Sequence, residues 1–382
     1  MNTDRKWRAS LLSGLLILGS FCGSGQEWTR FRGPNGSGTG QAKMLPAKLT
    51  EADLAWKASL PGSGYSSPVL WGERVFVTCT GDKAGGISMI CLNANDGKEV
   101  WARDFALTAF PKHALNSFAS STPTVDGERV YVVWNEPDHY VLTALDHNGK
   151  TVWQRDFGPF ISQHACGTSP ILCDDKVILA NFQDDPAFIE GPHPDSRTGK
   201  SSIIAVAAKT GKTVWETPRA STVVGYSTPC VYEPKAGPRA LIFNSQSHGF
   251  SALDPATGKV LWESEKVFDK RTVSSPVVAG DLILGSCGSG GGGNYVAAIK
   301  AGGATTSRKA ELAYQKALSL NPGDVNQQMA LAAFYSSSGD VDKSIRSLQT
   351  VIEKEPGNVA AMKQLAEMYA NKKDYEIGRA HV

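Results

Sequence analysis

The chain has 382 residues, 41% hydrophobic and 20% charged, a balance that excludes a disordered or membrane-embedded protein and supplies core for about two domains. Its formal net charge is +2, and no stretch concentrates lysine and arginine enough to build a phosphate-binding face, so nucleic acid is not expected as a partner.

At the N-terminus, Arg5, Lys6 and Arg8 precede an apolar stretch from Leu11 to Phe21 and the small residues Cys22, Gly23, Ser24 and Gly25. That order is the signature of a secretory signal peptide, so residues 1–25 read as a leader and the mature chain as exported, to the periplasm or cell surface. The apolar stretch falls well short of the roughly 20 residues that cross a bilayer, so no transmembrane segment is expected in the mature chain. Lipid anchoring at Cys22 is disfavoured by the bulk of Phe21 beside it. Beyond the leader lie Cys79, Cys91, Cys166, Cys173, Cys230 and Cys287, an even number in a compartment where disulfides persist, with the pairing open. Cys79, Cys91 and Cys230 fall inside strand patterns and read as buried small hydrophobes.

From Glu27 onward the chain is organised by a repeat. Gly-Lys-x-x-Trp recurs at Gly97-Lys98-Trp101, Gly149-Lys150-Trp153, Gly211-Lys212-Trp215 and Gly258-Lys259-Trp262, spaced 47 to 62 residues apart. A short apolar strand precedes each copy, so Gly-Lys marks a turn into an outer strand. Each unit opens on a Ser/Thr-Pro step: Ser67-Pro68, Thr122-Pro123, Ser169-Pro170, Thr228-Pro229 and Ser275-Pro276. The second strands, such as Val75-Phe76-Val77 and Val130-Tyr131-Val132, are expected to alternate with period two. Four short strands per unit describe the blade of a β-propeller, in which the tryptophans pack between blades and the glycines supply tight turns. Leu54-Ala55-Trp56-Lys57 reads as a lone outer strand.

These units, with the opening Trp28-Thr29-Arg30-Phe31-Arg32-Gly33-Pro34-Asn35-Gly36, resemble the PQQ-type repeats of exported bacterial propeller proteins. The resemblance implies an all-β propeller over residues 26–303. Related propellers have seven or eight blades, whereas about five are present here, so the ring is expected to be unclosed. The fifth blade stops before its Gly-Lys-x-x-Trp strand, and Gly285 to Gly293 reads as a loop within it.

After the propeller, residues 304–375 turn helical. Ala310, Tyr314 and Ala317 share a face, and Asn321-Pro322-Gly323-Asp324 returns 34 residues later as Glu355-Pro356-Gly357-Asn358. With Leu331, Ala332 and Tyr335 matched by Leu365, Ala366 and Tyr369, the segment resembles an incomplete set of TPR repeats. Residues 376–382 do not continue this pattern and back-translate to a string resembling a sequencing adapter, so they read as a non-native tail. The junction near Ala301 to Thr305 then reads as a chimeric join, with a genuine propeller and TPR fusion as the alternative.

The PQQ-type repeat serves quinoprotein dehydrogenases and also a non-enzymatic propeller of outer-membrane protein assembly, so the resemblance leaves activity open. A dehydrogenase of that kind needs PQQ and calcium in the central funnel, and its relatives often set adjacent cysteines over the cofactor; no Cys-Cys pair occurs here. No catalytic residue or metal site is therefore expected, and no cofactor, PQQ with calcium belonging only to the dehydrogenase alternative. Polar residues just ahead of inner strands are the binding candidates: His113, Asn116 and His164, joined by Asp184 and Asp185 in the excursion from Asn181 to Lys200. A metal site from these histidines and aspartates is not demanded by their spacing. The leading expectation is a non-enzymatic scaffold for a protein or carbohydrate partner, with a TPR interaction adaptor as the third reading.

Overall fold

The computed structural model describes residues 27–41, 48–80, 86–108, 110, 116–188, 195, 197–234, 237–264, 266–289, 292–300, 314–315, 317–337 and 341–379. The expected leader with Cys22, the candidate His113 and the junction at Ala301 to Thr305 lie outside these residues.

Five antiparallel sheets follow one another along the chain, each built from consecutive strands in spatial order. The first holds β1 (Val69–Trp71), β2 (Arg74–Thr80), β3 (Ile87–Asn93) and β4 (Glu99–Phe105), and the second β5 (Thr124–Val125), β6 (Arg129–Glu136), β7 (His139–Asp146) and β8 (Thr151–Asp156). The third holds β9 (Ile171–Cys173), β10 (Lys176–Asn181), β11 (Ser201–Ala207) and β12 (Thr213–Arg219), and the fourth β13 (Cys230–Tyr232), β14 (Ala240–Ser245), β15 (Gly249–Leu253) and β16 (Val260–Glu263). The fifth has three strands, β17 (Val277–Ala279), β18 (Leu282–Ser289) and β19 (Gly292–Lys300). Innermost strands lie side by side, β1 against β5, β5 against β9 and β13 against β17, so the sheets radiate as propeller blades.

Blade stacking explains a departure from the expected strand pattern. Val130, Tyr131 and Val132 are all buried, because the second and third strands are covered on both faces by neighbouring blades. Alternation survives in the outer strands, as in β8, where one face meets solvent. Separate apolar clusters fill each blade interface, for example Tyr131, Leu142, Val177 and Ile204 between the second and third.

The repeated tryptophans fasten these interfaces. The indoles of Trp56, Trp101, Trp153 and Trp215 donate to the carbonyls of Ala94, His147, Ala208 and Pro255 in the next blade, at 2.8, 2.8, 2.9 and 3.1 Å. Each indole also lies on a glycine, Gly97, Gly149, Gly211 or Gly258, with φ between 69° and 82°, where an added Cβ would fall 2.4 to 2.8 Å from the ring. Both the positive φ and the ring contact exclude other residues there. A bulge recurs opposite Trp101, Trp153, Trp215 and Trp262, at Cys91/Leu92, Ala144/Leu145, Ala205/Val206 and Ala252/Leu253. The unpaired residue, Val100, Val152, Val214 or Leu261, turns outward, and Trp101, Trp153 and Trp215 are left facing their glycines. Trp262 packs against the fifth blade with Tyr295 and Ala297.

A second ladder links the blades near the axis. The backbone N–H of Ser67 donates to Thr122 Oγ1, Thr122 to Ser169 Oγ, Ser169 to Thr228 Oγ1 and Thr228 to Ser275 Oγ, at 2.9 to 3.3 Å. The hydroxyl of every Ser/Thr-Pro step after the first therefore satisfies the amide of the preceding step.

At the two ends of the blade series the covering differs. Residues 54–57 form no ladder, yet Trp56 and Ala58 pack on Val77, Cys79, Ile90 and Leu92 of the first blade, the place an outer strand of a preceding blade would take. In the fifth blade the expected loop at 285–293 proves to be largely strand, since Gly285 and Ser286 pair with Ala297 and Val296. A side chain at Gly285 would strike Phe250 at 2.8 Å, so this glycine admits the fourth blade rather than breaking the strand.

Residues 317–320 are helical, followed by α1 (Val325–Ser337), α2 (Val341–Lys354) and α3 (Val359–Arg379). Helix α1 lies against β19, and Tyr314, Leu331 and Tyr335 cluster with Tyr295 of that strand. Leu331, Ala332 and Tyr335 are buried, whereas the matched Ala366 and Tyr369 are exposed. Helix α3 runs to Arg379, so the backbone continues the helix through the first residues of the segment that the sequence reading sets apart as a tail. Among the described residues no helix is long and apolar enough to cross a membrane. Six cysteines, Cys79, Cys91, Cys166, Cys173, Cys230 and Cys287, are buried free thiols.

Candidate functional site

The segment 28–38 runs across the inner strands. Trp28 pairs with Leu70, Thr29 accepts from the Val125 amide at 2.9 Å, and Asn35 both donates to and accepts from Val231, at 2.8 and 2.7 Å. Leu70, Val125 and Val231 each stand two residues after the proline of their repeat, so one segment meets three blades at one level. The Asn35 side-chain amide acts there as a short piece of strand.

Upstream of the same prolines, the loops that lead into the inner strands are bonded each to the next, Tyr65 to Ala119, Ser121 to Thr168, Thr168 to Gly225 and Tyr226 to Thr272. The residues three before each proline are Tyr65, Ser120, Gly167, Tyr226 and Val273. Tyr65 is 62% and Val273 57% exposed despite their place next to the innermost strands. Gly167 has no side chain because Tyr226 lies over it, 2.9 Å from where a Cβ would stand. The guanidinium of Arg271 sits 5.7 Å above the Tyr226 ring, and burial raises the Tyr226 hydroxyl above its ordinary value. This mouth combines two tyrosines, an arginine and several hydroxyls.

Of the candidates read from sequence, Asn116, His164 and Asp184 lie in or against these loops. Asn116 donates through Nδ2 to the His164 carbonyl and accepts from the Ser117 amide at 2.9 Å, tying the loop of the second blade to that of the third. His164 takes its amide bond to Ser162 Oγ at 3.1 Å, and its Nδ1 is buried. Asp184 is 0% exposed and accepts from the amides of Gln163 at 2.7 Å and Val224 at 2.6 Å, joining the loops of the third and fourth blades. Asp185 accepts from the Ala187 amide at 3.1 Å and opens the short turn Pro186–Phe188. Asn116 and His164 are thus in contact, with Asp184 bound to the neighbouring Gln163, while Asp185 faces its own loop. Arg197 pins the excursion to the second blade through Asp138 at 2.8 Å. Sequence reasoning missed Tyr65, Tyr226, Arg271 and Val273; aligning the repeats on their prolines would have found all but Arg271.

A family model described as outer membrane protein assembly factor BamB, of the PQQ_2 repeat type, matches residues 47–188 and 195–325. The chain belongs to this family. No curated protein matches it in sequence. Solved structures similar to this PQQ_2 family member include the quinohemoprotein alcohol dehydrogenase ADHIIG from Pseudomonas putida HK5, at 16% identity and TM-score 0.42 over 65% of this chain and 40% of that one. The quinohemoprotein alcohol dehydrogenase of Comamonas testosteroni is similar at 17% identity and TM-score 0.40, covering 53% of this chain and 36% of that one. A europium-containing methanol dehydrogenase gives 14% and 0.40, covering 63% and 57%. This chain therefore spans less than two thirds of each of these enzymes, 36% to 57% of their length.

A calcium ion of the dehydrogenase type requires several convergent oxygen ligands. Among the described residues no three His, Cys, Asp or Glu side chains converge, and both oxygens of Asp184 are taken by backbone amides. The described residues do not fit that ion.

Proposed function

We propose that this PQQ_2 family member is an exported, non-enzymatic binding propeller that holds a protein or carbohydrate partner at the mouth formed by Tyr65, Ser120, Tyr226, Arg271 and Val273. The observation that carries this reading is the exposure of Tyr65 and Val273 beside the innermost strands. Tyrosine rings with a neighbouring guanidinium offer flat apolar area and directional donors, the chemistry of a recognition surface. Asn116, His164 and Asp184 brace the loops that present it, and Asp185 shapes the adjoining excursion. Segment 28–38 fills the level below, which favours engagement by loops rather than by a group passing down the axis. The family's description as an outer-membrane assembly factor supports a protein partner and a periplasmic or outer-membrane-associated location. The helical segment is proposed as a TPR-like extension that packs on the last blade.

Reconstitution tests the non-enzymatic part. The full chain, incubated with PQQ and calcium, is expected to leave an artificial electron acceptor oxidised when alcohols or sugars are supplied. Sustained turnover that depends on PQQ would overturn the proposal.

A further inference from the structure

The fifth blade ends on β19, with no outer strand beyond it among the described residues. Its register is nevertheless that of a complete blade. Cys230, Ile242, Ala252 and Trp262 stand side by side across the fourth blade, and Val277, Leu284 and Ala298 repeat the first three places in the fifth. The residue opposite each outer tryptophan is small, Cys91, Ala144, Ala205 or Ala252. Ala298 keeps that size, although among the described residues no tryptophan pairs with it.

The backbone of β19 is also set for a partner. Across the ladder from Val296, Ser286 donates its N–H to Ser274 Oγ at 2.8 Å and accepts from the same hydroxyl at 3.0 Å. In an antiparallel ladder this directs the N–H and C=O of Val296 the other way, toward the open edge. Phe250, two residues before Ala252 as Val296 is before Ala298, shows what that edge receives in a complete blade. Its carbonyl accepts from the Ser264 amide and its N–H donates to Ser264 Oγ, both at 2.8 Å, just past the end of β16. At β19 the helical segment stands instead. Helix α1 lies against the strand, and the buried Tyr314, Leu331 and Tyr335 cluster with Tyr295. The Tyr314 hydroxyl is buried beside the Val296 amide, near enough for that amide to offset part of the rise that burial causes, but outside hydrogen-bond geometry. Val296 stays 39% exposed, so the edge is thinly covered rather than laddered.

We propose that the helical segment is an edge guard: seated on β19, it withholds a latent strand-addition site from the β19 of a second copy of this chain. The occupant follows from the strand itself. Asn294-Tyr295-Val296-Ala297-Ala298-Ile299 carries no charge and no proline, the devices by which exposed edges avoid one another. Two identical edges pair antiparallel about a two-fold axis, each outward group meeting its counterpart, so two three-stranded blades would merge into one continuous sheet. The inference rests on the seating of α1 on the fifth blade and not on the mouth.

Analytical ultracentrifugation of the full chain, paired with hydrogen exchange, tests the guard. The natural protein is expected to be a monomer. A double Tyr314→Ala and Leu331→Ser substitution removes two side chains clustered on Tyr295. It is expected to speed exchange over residues 292–300 by roughly tenfold or more, and to raise the mass with concentration toward roughly twice the monomer's. Adding Val296→Pro, which deletes an outward N–H while sparing the ladder to β18, should restore the monomer. A double variant that stays monomeric despite faster exchange overturns the proposal, as does a dimer that Val296→Pro leaves intact. Unchanged exchange over β19 contradicts the guard, and so does a natural chain that already dimerises through this edge. If the double variant does not fold, the natural chain decides. Protection of the β19 amides should then vanish together with that of α1 at low urea, and protection that lasts until the blades unfold overturns the proposal.

Discussion

Replacing Gly258 with alanine isolates the tryptophan dock from the backbone geometry that supports it. Gly258 has φ +71°, and a Cβ there would fall 2.4 Å from Trp215 Cε3 and 2.7 Å from Thr217 Oγ1. Holding alanine in the left-handed region costs about 1–2 kcal/mol. Displacing the indole adds loss of the 3.1 Å bond to Pro255, about 1 kcal/mol, and loss of aromatic packing at about 0.5–1.5 kcal/mol. The sum is about 2.5–4.5 kcal/mol. Gly280 provides the control, since it has φ +65° with nothing within 4 Å of an added Cβ, so Gly280→Ala is expected to cost only about 1–2 kcal/mol. Urea unfolding followed by tryptophan fluorescence measures both. Equal destabilisation of the two variants would refute the claim that the indole and glycine contact holds neighbouring blades together.

Thr228→Val should destabilise by about 1–3 kcal/mol, because the buried Ser169 amide loses its acceptor, while Ser67→Ala, whose hydroxyl takes no such bond among the described residues, should change stability by less than about 0.5 kcal/mol; a chemical-denaturation comparison that reversed this order would remove the hydroxyl ladder from the account. Burial raises Cys166 and Cys230 from 9.0 to about 12, so the folded state keeps protons that the unfolded state has lost. Their contribution is full below pH 9 and declines as pH rises toward 12, by about 1.4 kcal/mol per pH unit per thiol, and a double Cys166→Ala and Cys230→Ala variant should lose less stability between pH 8 and pH 10.5 than the natural chain. Identical pH profiles would contradict the burial argument. A peptide of residues 307–375 should show little helical circular dichroism, since Tyr314, Leu331 and Tyr335 complete their packing on Tyr295; a cooperative melt of the isolated peptide would show that the blade is dispensable to it.

The blades were legible because their signals are local and repeated. Gly-Lys-x-x-Trp fixed the turn before each outer strand, and the Ser/Thr-Pro steps fixed the start of each inner one. Even Trp56, without a sheet of its own, was recognisable by its match to the other outer strands. The alternation expected at Val130-Tyr131-Val132 failed because blade stacking covers both faces, which no single-strand pattern reveals. Gly285 was misread for a related reason, since its role is to admit Phe250 from another blade. Segment 28–38 carried a recognisable motif, but the pairing of Asn35 with Val231 spans 196 residues and leaves no periodic trace. Polar side chains are what the sequence offers in the loops ahead of the inner strands. Asn116, His164 and Asp184 stood out as polar residues, yet polarity in these loops mostly serves to hold them, and the exposed surface falls to Tyr65 and Val273.

Site-specific photo-crosslinking in a native cell envelope tests most directly whether the mouth is where this propeller binds. A benzophenone side chain placed at Tyr65 or Val273 should give a discrete adduct that the same group at Val214, exposed on an outer strand, does not. Adducts from Val214 with none from either mouth position would contradict the account.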